Sequence, residues 1–559
     1  MARVAAIGLD AAEWRLVEEW MKEGTLPNLR QLQSESAVFE LENVREYRSE
    51  AIWGAFAEGR HPSTSGRWTN ISFNPEIYQA LDTGADKSLP FWSREGATPA
   101  VIFDIPHTST RDDEGVTHVT GWGAHSALFP RASRPVGLLR DIDARFGPHP
   151  AFERDNVPSW YDQPYLSRLV EACEQGARTR IEIAKHLMES NPDWKFFVTA
   201  MSEPHSVGHH AWHGVDPTHQ ANKTKHAAFA REAMRRTYQS FDKAVGEFRK
   251  LIDPDTHLIV FALHGMQANT NDLPAGVLLP ELLYRLQFGE PLLVNPRAEQ
   301  WTRDGSPAIA PDLTWGSELR HMFADSAIGR LKRATYGVLP KSVYRAMLLA
   351  AAKAAGRNGP RQVWEDDYTF KPEAPVEEQN FVDDLQYQPP VWYARHWRSM
   401  RAFALPTFSD GQVRINLQGR ESSGIVPLDQ YDAVCDEIIR ELRACTDART
   451  GAPMVADIIT PLRDDPFKTN APPADIIVLF NHGVDAIKHP KAGLIGPVPL
   501  MRTGEHSSNG FAMISGPGIA PGFGGRRRAV DMPATILDLL GTSLEGVDGT
   551  SLLTAREFA

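Results

Sequence analysis

The sequence predicts an α/β fold built on a mostly parallel sheet, and three observations lead there. Short apolar runs recur at residues 4–10, 99–104, 195–205, 257–264, 475–482 and 510–516, and each ends in polar residues. Segments of helical period separate most of these runs. The composition is that of an ordinary globular protein: 559 residues, 42% hydrophobic, 23% charged and a net charge of -12. Continuous apolar strands alternating with helices imply a sheet covered on both faces. In such sheets a ligand sits beyond the carboxyl ends of the strands, where the polar residues fall.

The first run begins almost at residue 1, is too short for a signal sequence and lacks a cleavage site, so it reads as a strand. A helix over 13–23 follows, stopped by Gly24. Another covers 164–189, with Leu166, Leu169, Ile181, Ile183 and Leu187 mostly at helical spacing, and a third, over 229–252, feeds the run at 257. From 271 to 403 Trp, Pro and Arg increase, which divides the chain into a first core part (1–270), an inserted cap (271–403) and a second core part (404–559). Within the cap Arg330, Lys332, Arg333, Lys341, Arg345, Lys353, Arg357 and Arg361 have no acid among them, and Leu331, Val338, Val343 and Met347 supply an apolar face. The simpler reading is a solvated helical face packed on the core, and the alternative is contact with an anionic substrate or a membrane surface.

The acidic balance argues against nucleic-acid binding by bulk charge. The longest other apolar stretch, 346–353, is far short of the ~20 residues of a bilayer span. Three cysteines, Cys173, Cys435 and Cys445, form neither a disulfide framework nor a Cys-x-x-Cys pair. A cytoplasmic protein is the expectation.

Five segments offer chemistry. Residues 202–213 hold His205, His209, His210 and His213 just after a strand; His205 and His209 share a helix face and suit a borderline metal, although a polar loop with surface histidines is an equal reading. His264 ends a strand before Gly265, where a satisfied core histidine is the simpler reading. His506 lies in a polar loop before the 511–515 run. Ser49 stands where a helix over 50–57 would begin, as an N-cap or as a nucleophile favoured by the helix dipole. Asp10 closes the first strand.

In this order and spacing the segments resemble the alkaline phosphatase superfamily, and within it the type I phosphodiesterase/nucleotide pyrophosphatase branch. The likeness rests on Gly8-Leu9-Asp10, the Leu26-Pro27-Asn28-Leu29 turn, the landmarks Gly59, Pro62 and Gly66, Asn416 to Arg420, Ser515 to Ile519 and Asp531 to Leu537. It implies an alkaline-phosphatase-like three-layer α/β/α core with an inserted cap. It further implies two divalent ions, usually zinc, about 4 Å apart and clamping a phosphoryl group. Carried over, one ion falls to His205, His209 and His506. The other falls to Asp10, Ser49, Leu263 and His264, with Ser49 as the nucleophile.

Two of the family's carboxylates are missing. His205 replaces one mildly, because an imidazole also ligates zinc. Leu263 replaces the other and offers no donor, so that ion is weakened unless His107, Glu50, Glu203 or His210 stands in. The reading that follows is a metal-dependent hydrolase of small anionic phosphoesters, diesters or nucleotide-type pyrophosphates, using Ser49 and one or two zinc-like ions. The alternatives are a one-metal hydrolase or transferase on the same scaffold and a non-catalytic member that binds an anionic or nucleotide ligand. Sulfatase chemistry is set aside, since neither Pro nor Arg follows Ser49 as that nucleophile requires. Of Trp301, Trp315, Trp364, Trp392 and Trp397 in the cap, most are expected in the core, with stacking on a base or sugar as the alternative.

Overall fold

The computed structural model describes residues 2–44, 52–82, 89–94, 98–123, 131–151, 160–298, 307, 315–340, 342–344, 346–347, 350, 385–481 and 483–554. A nine-stranded sheet organises the chain. Its strand order is Gly522–Arg528, Ala37–Glu42, Asn509–Ser515, Thr256–Ala262, Arg3–Leu9, Phe196–Met201, Ala100–Phe103, Val116–Thr120 and Ala132–Arg134. The Arg3–Leu9 strand lies at its middle and pairs in parallel with Phe196–Met201 and Thr256–Ala262. Asn509–Ser515 is antiparallel to both its neighbours, so the sheet is mostly but not wholly parallel.

The central strand is buried on both faces, as its unbroken apolar run requires. Ala5, Ile7 and Leu9 enter one apolar cluster with Leu16, Trp20, Leu169 and Phe241, whereas Val4 and Ala6 enter another with Trp53, Phe56, Met532 and Ile536. Helices therefore cover both faces, giving three layers. Helix Trp14–Lys22 ends at Gly24 (φ +79°) as expected. The Leu-Pro-Asn-Leu turn that follows is a docking device: Asp242 accepts from the Leu29 N–H and from the Asn28 side-chain amide, both at 2.8 Å. Helix Gln163–Ser190 starts with Asp162 accepting from the Tyr165 N–H at 3.2 Å, with Pro164 in its first turn.

A third apolar cluster has its own four-stranded antiparallel sheet, in the order Ala402–Leu405, Gly411–Ile415, Ile476–Phe480 and Val455–Ile459. It joins residues of the 271–322 region, such as Leu282 and Leu319, to Phe403, Val413 and Ile476. The apolar run near 475–482 is thus a strand, but of this sheet. Trp315, Trp392 and Trp397 are buried in the same cluster, whereas Trp301 and Trp364 lie outside the described residues. Arg420, from the Asn416 to Arg420 motif, grips Asp475 with two contacts of 2.8 Å and so ties a turn to this sheet.

Candidate metal centre

The carboxyl end of Phe196–Met201 passes straight into helix Glu203–Ala211, whose side chains are all buried. One helical turn separates His205 from His209, which puts both imidazoles on one face. Their Nε2 atoms are 3.1 Å apart, against about 3.3 Å for two nitrogens on one tetrahedral zinc. His209 Nδ1 donates to the Gly504 carbonyl at 2.7 Å, which leaves Nε2 with its lone pair toward His205.

His506 arrives from nearly three hundred residues away by strand pairing. Strand Gly504–His506 is antiparallel to Met266–Ala268, with His506 opposite Met266. The pair is held to the helix by the Thr503 N–H, which donates to the His209 carbonyl at 2.8 Å. The approach is tight: a Cβ on Gly504 would lie 2.3 Å from the Gly208 carbonyl oxygen, so only glycine fits there. One ligand atom from each of His205, His209 and His506 then lies within 4.8 Å of the others. Three neutral imidazoles with a fourth position open suit zinc or a similar borderline ion.

Asp10 and His264 meet beside this triad. His264 Nε2 lies 3.1 Å from Asp10 Oδ1, and the His264 and His506 rings are 4.3 Å apart between centroids. The Trp53 indole N–H donates to the same Asp10 oxygen at 2.8 Å. Gly8 makes room for that ring, because a Cβ there would stand 2.5 Å from Trp53 Cη2. Leu263 is 1% exposed and packs with Ile52, Trp53 and Phe56. Among the described residues, no third His, Cys, Asp or Glu joins Asp10 and His264 in a metal-holding group. Among the described residues the donors therefore offer one three-ligand position, at the histidines, and only Asp10 and His264 beside it.

Three of the four suggested stand-ins, Glu203, His210 and His107, contact other groups. Glu203 accepts from His149 at 3.1 Å and lies 3.8 Å from Arg180, which also binds Asp104 at 2.9 Å, all within the protein interior. Burial pushes the Glu203 carboxyl up, but Arg180 and the His149 hydrogen bond outweigh it and hold the group below the usual carboxylate value. His210 packs edge-on against Tyr165, and His107 contacts the Asn70 amide at 2.9 Å. Ser49 and Glu50 lie outside the described residues.

Glu13 belongs to the site's frame and was missed in the sequence. Its carboxylate accepts from the Met266 N–H at 3.2 Å and from the Ser507 hydroxyl at 3.4 Å, clasping the two segments that directly follow His264 and His506. Burial holds that carboxyl above its usual value. Its place three residues after Asp10 was the available signal.

A sequence model of the type I phosphodiesterase / nucleotide pyrophosphatase family matches residues 4–306. No curated protein matches the chain. Solved structures that resemble it include phosphonoacetate hydrolase from Sinorhizobium meliloti 1021 in complex with phosphonoformate (12% identity, TM-score 0.42, 97% of this chain and 96% of that one). An inactive variant of murine ectonucleotide pyrophosphatase/phosphodiesterase 5 in complex with AMP also resembles it (9%, TM-score 0.44, 98% of each chain). So does a variant of alkaline phosphatase PafA (11%, TM-score 0.42, 98% and 97%).

Proposed function

Because the chain belongs to the type I phosphodiesterase/nucleotide pyrophosphatase family, we propose that it hydrolyses phosphoric esters with one divalent ion, held by His205, His209 and His506, and with Ser49 as nucleophile. The observation that carries this reading is the convergence of three imidazoles, one of them oriented by the Gly504 carbonyl. A zinc-like ion there supplies Lewis-acid stabilisation of charge on a phosphoryl oxygen.

The rest falls to the chain's own groups. The Gly504 and Thr503 backbone bonds to His209 fix the ligand geometry before any substrate arrives. Asp10, with Trp53 behind it, keeps the His264 ring next to His506, so a further imidazole borders the ion position. Ser49 stands four residues before Trp53 in the sequence, and its role as nucleophile rests on the family resemblance. The substrate class is a phosphodiester or a nucleotide-type pyrophosphate.

The test combines metal content by mass spectrometry with turnover of bis(p-nitrophenyl) phosphate and of a p-nitrophenyl nucleotide ester, in wild type, His209→Ala and Ser49→Ala. One ion per chain in wild type is expected, lost together with turnover in His209→Ala. Ser49→Ala should keep the ion and lose turnover, and undiminished activity in that variant overturns the serine role. An ion bound with no turnover on either ester favours the ligand-binding alternative, which the apolar Leu263 motivates.

A further inference from the structure

The helix Ala327–Val338 is built inside out relative to a helix of a water-soluble surface. Its inner side is anchored by polar groups. Tyr336 is 1% exposed, donates its hydroxyl to Glu318 and lies under the Arg297 guanidinium, 4.2 Å from the ring centre. Arg333 donates inward to the Leu292 carbonyl at 2.9 Å. The outer side is apolar: Ala327, Leu331, Ala334 and Val338 follow one another at helical spacing and are all exposed, Leu331 by 69% and Val338 by 83%. Arg330 and Lys332 are exposed on either flank of that ridge. Beyond Pro340 the pattern repeats, with Tyr344 buried and Val343 and Met347 exposed by 46% and 51%.

Isolated apolar residues on a surface need no explanation, but a continuous ridge edged by cations does. We propose that this face docks on an anionic lipid bilayer, with Leu331, Val338, Val343 and Met347 entering the interfacial region and Arg330 and Lys332 meeting lipid phosphates. Charge selects this occupant. Residues 326–364 hold eight Lys and Arg and no Asp or Glu in a chain of net charge -12, so the sequence around the ridge is basic within an otherwise acidic protein, and Arg330 and Lys332 are exposed beside it. A second copy docking through the same face would set Arg330 and Lys332 against their own counterparts, which disfavours a symmetric dimer. The contact is peripheral, since no helix among the described residues is long and apolar enough to cross a membrane. It is also independent of any turnover at the histidine site.

The experiment is vesicle co-sedimentation of the full chain, with phosphatidylcholine vesicles and with vesicles of phosphatidylcholine mixed with phosphatidylglycerol. Binding to the mixed vesicles alone is expected, weakening as salt is raised. Leu331→Ser/Val338→Ser and, separately, Arg330→Gln/Lys332→Gln should each lower it about tenfold or more. All four positions are exposed, so far-ultraviolet circular dichroism and thermal midpoints should match wild type and show that the variants fold. No binding to the mixed vesicles, equal binding to both kinds, or binding unchanged in both variants overturns the proposal. So does a concentration-dependent dimer that Leu331→Ser/Val338→Ser dissolves.

Discussion

Replacing Leu263 with Asp asks whether that one side chain closes the second ion position. Leu263 is buried to 1% beside Ile52, Trp53 and Phe56, and the next residue, His264, meets Asp10. Without metal the variant loses about 2 kcal/mol of leucine burial. It also places a carboxylate, without a cationic partner, in an apolar cluster, so a total loss of about 4–6 kcal/mol is expected. A zinc ion taken up by the new carboxylate, Asp10 and His264 offsets part of this, about 2.7 kcal/mol at a hundred times its Kd. Urea unfolding with and without zinc, alongside metal content by mass spectrometry, reads both effects. Wild type should hold one ion and Leu263→Asp two, with the larger zinc-dependent rise in urea midpoint in the variant. A wild type that already binds two ions, one of them lost in His264→Ala, would refute the reasoning, as would a variant with neither a second ion nor added zinc stabilisation.

Other consequences can be measured directly. Gly504→Ala drives a Cβ to 2.3 Å from the Gly208 carbonyl, so the strand bearing His506 must shift; strain of about 1–3 kcal/mol and weaker zinc binding by isothermal titration are expected. Glu203→Ala leaves His149 without its carboxylate and Arg180 with Asp104 as its remaining ion-pair partner, and should cost about 1–3 kcal/mol in urea unfolding. Its metal content should stay at the wild-type level, because Glu203 faces Arg180 and His149 and is not a ligand. The buried imidazoles of His118, His213 and His219 are depressed, chiefly by burial, to about 3, about 3 and about 4. The unfolded chain therefore binds these protons first, and stability is complete above about pH 6.5 and falls as pH drops toward the folded values. At pH 5 each group should cost about 2 kcal/mol, and an urea midpoint that stays level from pH 7.5 to 5 would contradict this.

Much of the frame was legible in the residues. The runs at 4–10, 195–205 and 257–264 became adjacent parallel strands, because an unbroken apolar run fits only a strand covered on both sides. His205 and His209 share a face because a four-residue spacing is one helical turn. Glu203 was less readable. Nothing in its neighbourhood announces Arg180 or His149, so it remained a possible metal ligand until packing assigned it to a buried ion network. The 475–482 run could not declare its sheet either, since an apolar strand of that length suits the main sheet and the antiparallel one equally.

The sequence by itself determined the local elements, the polar ends of the strands and the identity of the candidate donors, all of which follow from periodicity and side-chain chemistry within a few residues. The family resemblance implied that His205, His209 and His506 belong together, and the tertiary structure supplied the contacts that bring them there. The pairing of His506 with Met266, the closing of Leu263 into an apolar cluster and the outward turn of Leu331 and Val338 each depend on contacts between distant segments. Those contacts are set by strand register and close packing, and no local pattern encodes them.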